Sequence, residues 1–494
     1  MSRLRRAAGA AGLAAASAVG LVGCATTALP PARQLSSTAP AAWQAALPPV
    51  GDASTTADLQ AWWGRFSDPL LPELIAAAQA ASPSLASAAA RIERARAARA
   101  AAASAAGPQA GLGASATLGR SVPGAPTAFS ASVGAQMAWE IDLFGGLAAA
   151  RDAAQARLEG AQAGWHDARA AVAAETATSY LALRACEAQR EQTALDAASR
   201  AETARLTGLA ARAGFAAPAD AALADAGAAQ SRSQLGALRA QCDTLLKSLV
   251  EMTDLPEPVL RQRLAPATAA LPRPPAIAPA ELPAAALAQR PDIHAAARAV
   301  IAAAGDRADA QARERPQLSL SGNLAQTTLR SGGDTVSGLT WSFGPLQVVF
   351  PVLDGGARAA ASAAAQAGYD EAVALYRAQV RRAVREVESA LVAVQATAER
   401  GADAQRAAAG FEASLRATAA RQRGGLASLF ELEESRRNAV AAQIALIELQ
   451  REAAAAWIAL YRALGGGWHE GAALAATPGV AAAGMSAATD SARR

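Results

Sequence analysis

The sequence predicts a mainly helical chain that also carries four strands of membrane-spanning length, with the whole pattern laid down twice. Three observations predict it. From Phe129 to Ile141 the apolar residues Phe129, Ala131, Val133, Ala135, Met137, Trp139 and Ile141 take the odd positions, while Ser130, Ser132, Gly134, Gln136, Ala138 and Glu140 lie between them. That period of two marks a strand with one apolar and one wet face. Directly after it, Asp142-Leu-Phe-Gly-Gly146 opens an Ala-rich, Arg- and Glu-studded run without proline until Pro218, a helix of roughly 100 Å at 1.5 Å per residue. The same crossing returns at Trp341-Ser-Phe-Gly-Pro345 and Phe350-Pro-Val-Leu-Asp-Gly-Gly356. About 210 residues separate the Gly-Gly pairs at 145 and 355 and the turn glycines 214 and 424, as an internal duplication leaves them.

Composition narrows the options. Of 494 residues 52% are apolar, mostly alanine, and only 4% are aromatic, so buried seams are thin and helices pack closely, as in bundles and coiled coils. The net charge of +4 comes from arginine, Lys247 being the only lysine. No basic patch interleaved with aromatics occurs, which argues against nucleic acid as a partner.

In order along the chain, residues 1–23 read as a signal peptide: Arg3, Arg5 and Arg6 form a basic start, and Ala7 to Val22 an apolar core too short to span a bilayer. Leu21-Val22-Gly23-Cys24 resembles the lipobox of bacterial lipoproteins, in which the cysteine, here Cys24, is lipidated and becomes the new N-terminus. The alternative is an ordinary secretory signal with a chance cysteine. No other segment of about 18 residues is apolar enough for a membrane helix, so any crossing must use strands. Residues 24–60, rich in Pro, Ala, Ser and Thr, read as an extended tether that wraps over the body.

Residues 61–256 form the first repeat. A helix from Leu70 to about Ala106 breaks at Ser82-Pro83, and Pro83 suits a first turn. A strand hairpin follows over 109–141, turning at Val122 to Pro126, and then a helical hairpin over 147–252. Residues 257–283, dense in proline, read as a linker. Residues 284–468 repeat the scheme: Arg290-Pro-Asp-Ile293 matches Ser82-Pro-Ser-Leu85 as a helix start, with a strand hairpin at 316–352 and a helical hairpin at 357–464. Residues 469–494 read as a flexible tail.

Four strands cannot close a barrel, and an open sheet edge in hydrocarbon leaves backbone groups unpaired at several kcal/mol each. Several copies must therefore pool their strands. Together with the export signal, that places the chain in a bacterial outer membrane, with the helical hairpins projecting into the periplasm.

The chain resembles the TolC-like outer membrane channel factors of tripartite efflux pumps, and within them the lipoprotein (NodT or OprM-like) branch. The matching pieces are Trp62-Trp-Gly-Arg-Phe-Ser-Asp-Pro69, Ala88-Ala-Ala-Arg-Ile-Glu-Arg-Ala-Arg96, Arg290-Pro-Asp-Ile293, Pro316-Gln-Leu-Ser-Leu-Ser-Gly322, Trp341-Ser-Phe-Gly-Pro345 and Phe350-Pro-Val-Leu-Asp-Gly-Gly356. The resemblance implies a homotrimer with a twelve-stranded barrel and a periplasmic helical barrel. It also implies a periplasmic adaptor, an inner-membrane pump of the RND type, and a passive exit role for drugs or other small toxic compounds.

In that family the tips of the helical hairpins carry the gate and the adaptor-docking turns. Arg212 and Gly214, and Gly424 and Gly425, correspond to the tips. Acids six residues after the first tip glycine, and six and nine after the second, map to Asp220, Phe430 and Glu433. Phe430 replaces an acid, so a hydrophobic ring that gates by dewetting stands beside an ionic constriction; Asp220 also suits a helix first turn, where the macrodipole favours acids. Cys186 and Cys242 lie about 28 residues on either side of Gly214, level with each other in an antiparallel hairpin, and pairing is expected in an oxidising compartment. Two separate buried thiols are the alternative.

The three histidines, His166, His294 and His469, are too far apart for metal-ligand spacing. No nucleophile elbow or phosphate loop occurs, so no enzyme, cofactor or metal is expected. Two other readings remain open at this level: a lipid-anchored periplasmic coiled-coil scaffold, and an outer membrane duct for secreted polypeptides or metal ions, the latter without methionine clusters to support copper.

Overall fold

Punctuation by glycine, proline and aspartate decides where the long helices start. The computed structural model describes residues 40–48, 55–120, 123, 124, 126–279 and 283–471; the signal peptide, Cys24, most of the tether, part of the turn at 122–126 and the tail beyond residue 471 lie outside the described residues. The helices are α1 (Thr56–Gln60), α2 (Leu70–Ala81), α3 (Pro83–Ala105), α4 (Gly146–Arg212), α5 (Pro218–Thr253), α6 (Glu257–Leu264), α7 (Pro283–Ala288), α8 (Pro291–Ala312), α9 (Ala357–Arg423) and α10 (Leu429–Ala463). The strands are β1 (Gln109–Gly119), β2 (Ala128–Ile141), β3 (Gln317–Ser331) and β4 (Asp334–Val349). The order helix, two strands, long helix, returning helix thus occurs twice, and α4 and α9 each run for 67 residues.

Both long helices begin with an aspartate that accepts main-chain N–H groups. Asp142 Oδ2 takes the Ala148 N–H at 2.8 Å. Asp354 takes the Gly356 and Arg358 N–H groups at 2.9 and 3.2 Å, and these bonds hold its carboxyl below the usual carboxylate range. Such acceptors satisfy donors that a helix start leaves without partners.

Two compact units emerge, and each draws on both halves of the sequence. The first comprises 90–161 with 295–377. Its four strands form one antiparallel sheet in the order β1-β2-β3-β4, so the two strand hairpins join through β2 and β3. Beside the sheet, the start of α4 lies against α8 so closely that a Cβ on Gly305 would come within 2.7 Å of the Ala149 carbonyl oxygen. Arg298 pairs with Glu159 at 2.9 Å, and Arg157 pairs with Asp306.

The second unit comprises the described parts of 38–89, 162–294 and 378–471. Its core gathers Trp62, Trp63, Phe66, Leu71, Tyr180, Leu249, Leu260, Ile277, Leu391 and Tyr461. Trp62 stacks on Tyr461 with ring centroids 4.8 Å apart, and its indole N–H donates to the Pro275 carbonyl at 3.0 Å. The segment 257–283 is therefore more than the linker its prolines predict. Pro256 and Pro258 occupy the start of α6, where a missing N–H costs nothing, and Leu260, Leu264 and Ile277 are buried. The tether also differs from a fully extended strap, because Thr55 and Asp58 close a capping box on α1.

Two buried arginines tie this unit together. Arg184 of α4 donates to the Tyr180 hydroxyl, to Glu187 and to the Leu264 carbonyl, and the Tyr180 hydroxyl donates to Asp68. Arg290 donates to both oxygens of Asp292, to Glu386 of α9 at 2.7 Å and to the Ala463 carbonyl of α10 at 2.8 Å. Burial opposes ionisation of Asp292 and Glu386, and the Arg290 guanidinium more than reverses it, so both carboxyls lie below their ordinary values.

Candidate functional site: an amphipathic sheet and two helical turns

The sheet's register sorts its residues by polarity. Leu112 of β1 faces Ala135 of β2, which faces Leu324 of β3, which faces Trp341 of β4. The row beside it reads Ala114, Val133, Gln326 and Leu339. Residues directly opposite in a ladder share a face, so the apolar residues of the four strands align on one side, interrupted on β3 by Gln326, Thr328 and Arg330. The other side carries Gln136, Asn323 and Ser342 in one row, with Ser342 Oγ donating to Asn323 Oδ1 at 2.8 Å and Ser115 bonded to Ser132 at 2.8 Å.

The apolar side is bare: Leu112 is 90% and Trp341 74% exposed. With 11 to 16 residues each, the strands meet or exceed the ~9–11 needed to cross a bilayer. Among the described residues the outer edges of β1 and β4 have no partner, and no helix is long and apolar enough to cross a membrane.

In the second unit, two turns of matching geometry end the helical hairpins. After α4 the chain reverses at Gly214 with φ +81, and the Phe215 N–H donates to the Ala210 carbonyl at 2.8 Å. After α9 it reverses at Gly425 with φ +74, and the Leu426 N–H donates to the Arg421 carbonyl at 2.8 Å. Both are helix ends closed by a left-handed glycine. Phe215 and Leu426, the equivalent residues after each glycine, are 88% and 73% exposed. Arg212 is exposed at the end of α4, and Gly424 keeps the helical hydrogen bond to Ala420.

The second left-handed glycine is Gly425, one residue beyond Gly424. Six residues beyond Gly214 stands Asp220, exposed in the first turn of α5 and without an ion pair among the described residues. Six beyond Gly425 stands Glu431, whose carboxylate accepts the Ser428 N–H at 2.7 Å in a capping box. That bond keeps its carboxyl low. Ser-x-x-Glu is readable in the sequence as a helix start.

Phe430 is 66% exposed. Glu433 is turned inward: Oε1 accepts from Thr203 Oγ1 of α4 at 2.7 Å and from Arg436 at 2.5 Å, while Oε2 is buried without a hydrogen-bond partner among the described residues. It links the second hairpin to the first. Thr203 and Arg436 escaped sequence reasoning; only the i, i+3 spacing of Glu433 and Arg436 was available as a signal. Cys186 and Cys242 are bonded, with Cα atoms 5.6 Å apart, and both are buried. Among the described residues no group of His, Cys, Asp and Glu is placed to hold a metal ion.

Comparison with known proteins gives a consistent result. The family model for outer membrane efflux proteins matches residues 74–253 and 282–466. The outer membrane protein OprJ of Pseudomonas aeruginosa is 32% identical over 136 residues, which is 27% of this chain and 28% of OprJ; the match thus spans little more than a quarter of that relative. The solved outer-membrane channel OprN is 27% identical, with a TM-score of 0.75 over 87% of this chain and 97% of that one. The CmeC outer membrane channel of Campylobacter jejuni, 21% identical, shares the fold with a TM-score of 0.74 over 87% of this chain and 96% of that one.

Proposed function

The chain belongs to the outer membrane efflux protein family, and we propose on that premise that three copies close a twelve-stranded barrel and form the outer membrane channel of a tripartite efflux pump. The barrel continues as a periplasmic tube of helices, the two halves of the chain being an internal duplication. Substrates are drugs or other small toxic compounds, delivered by a periplasmic adaptor and an inner-membrane pump of the RND type. Cys24 carries the lipid, Arg212, Gly214, Gly424 and Gly425 form the adaptor-docking turns, and Asp220, Phe430 and Glu433 stand at the periplasmic aperture.

The observation that carries this reading is the sheet. Its one bare apolar side, its polar opposite side and its two unpartnered edges suit a wall that faces lipid outward and water inward once copies of β1 and β4 pair. A soluble scaffold has no use for Leu112 and Trp341 in the open. The test is purified acylated protein in planar bilayers. Discrete single-channel currents, with a trimer that resists detergent until heated, are the expected result; a soluble monomer without currents overturns the channel.

At the tips, the ties of Glu433 to Thr203 and Arg436 make it a brace between hairpins at the mouth and not a free ring charge. Glu433→Gln is expected to raise single-channel conductance, because the neutral amide holds Arg436 less firmly. Unchanged conductance together with altered cation preference would return Glu433 to the role of a lumen charge.

A further inference from the structure

The chain between the acylation site and the first helix makes one unusual contact. Residues 44 and 45 bend, and the bend turns two consecutive main-chain donors to the same side. The Gln44 N–H donates to Glu388 Oε1 at 2.8 Å and the Ala45 N–H to Glu388 Oε2 at 2.8 Å. Flanking this clamp, Trp43 and Ala45 pack on the buried core, to which α9 contributes Val387, Ala390 and Leu391. Glu388 has no ion pair among the described residues, so both carboxylate oxygens are committed to the strap. Hydrogen bonds from main-chain N–H groups to a carboxylate are about twice as strong as neutral ones.

We infer that Glu388 is a mooring residue: its carboxylate fixes the strap at Gln44 and Ala45 to α9. Because the clamp grips the main chain, it tolerates changes of side chain at 44 but not loss of the carboxylate at 388.

Amide hydrogen exchange of the full acylated chain tests the mooring. In Glu388→Ala the Gln44 and Ala45 amides are expected to exchange at least about tenfold faster, since each loses a charge-assisted bond, while the amides of α4 around Tyr180 stay protected and report an intact body. Glu388→Gln keeps one acceptor oxygen and is expected to fall between the two. Unchanged exchange at 44 and 45 in both variants overturns the mooring.

Discussion

The two helical hairpins, α4 with α5 and α9 with α10, have nearly the same lengths and turn at the same kind of glycine, yet they are held together differently. In the first, the disulfide Cys186–Cys242 joins the helices covalently, and Ser231 of α5 donates to Asp196 of α4 at 2.8 Å in a buried contact. In the second, the ion pair linking the two helices is Arg400–Glu452, at 2.9 Å and exposed, and the buried tie lies at the far end, where Arg290 reaches Glu386 and the Ala463 carbonyl. Exposed pairs of this sort contribute at most about 1 kcal/mol. The difference teaches that two hairpins of nearly the same backbone can be tied by unlike bonds, a covalent bridge in one and an exposed ion pair in the other. The second hairpin also has the better-capped start of its returning helix, through Ser428 and Glu431, whereas α5 begins at Ala217 without a side-chain cap.

Removing the disulfide is the strongest way to break this contrast. It closes a loop with a sequence separation of 56, for which the chain-entropy relation gives about 4 kcal/mol. Cys186→Ser with Cys242→Ser is expected to make the first hairpin exchange amides as readily as the second, read by residue-resolved hydrogen exchange. Exchange that stays slower in the double variant would mean that Asp196 and Ser231 provide the stiffness.

Next comes Arg290→Met, expected to cost about 3 kcal/mol because it strands buried carboxylates. The sign of its pH dependence follows from Asp292 and Glu386, whose carboxyls are held below their ordinary 3.8 and 4.5. A depressed carboxylate stabilises the fold above its unfolded pKa, and that stability is lost as pH falls through the folded value. The gap in thermal stability between the variant and the parent is therefore widest near neutrality and narrows below about pH 4.5. A gap that widens on acidification would contradict the assignment. Third is Ser428→Ala, expected to cost about 1 kcal/mol and to fray the first turn of α10 alone, visible as faster exchange at Glu431 and Leu432 with α5 unaffected.

Much of this was legible in the sequence because it follows local rules. The alternation around Val133 and the glycine and proline punctuation placed β2, α4 and α9 within about two residues. The level positions of Cys186 and Cys242 about the turn needed only the antiparallel geometry of a hairpin. What the sequence hid depends on residues distant along the chain. Prolines 256 to 283 looked like a linker because nothing local announces that Leu260 and Ile277 will meet Trp62 and Tyr461. The tie of Glu433 to Thr203 was hidden because the two lie 230 positions apart. Glu388 gave no signal, since its partners are main-chain groups that any residue supplies.

The smallest expected effect concerns Asp167 of α4, in the same neighbourhood as Arg290. Burial raises its carboxyl above the ordinary 3.8, the charges of Asp292 and Glu386 add to that, and Arg462 and Arg290 oppose it. The sign is opposite to that of its neighbours: a raised carboxyl penalises the folded state while ionised, and the penalty is relieved as pH falls through the folded value, because the native state takes up its proton first. Asp167→Asn removes the penalty at neutral pH. The variant is expected to melt slightly above the parent at pH 7, by less than Ser428→Ala lowers the melting point, and the difference is expected to vanish as both approach pH 4. Melting below the parent at pH 7 would mean that the Asp167 charge is used by Arg462, and the polar cluster around Arg290 would then be balanced and not overloaded with acid.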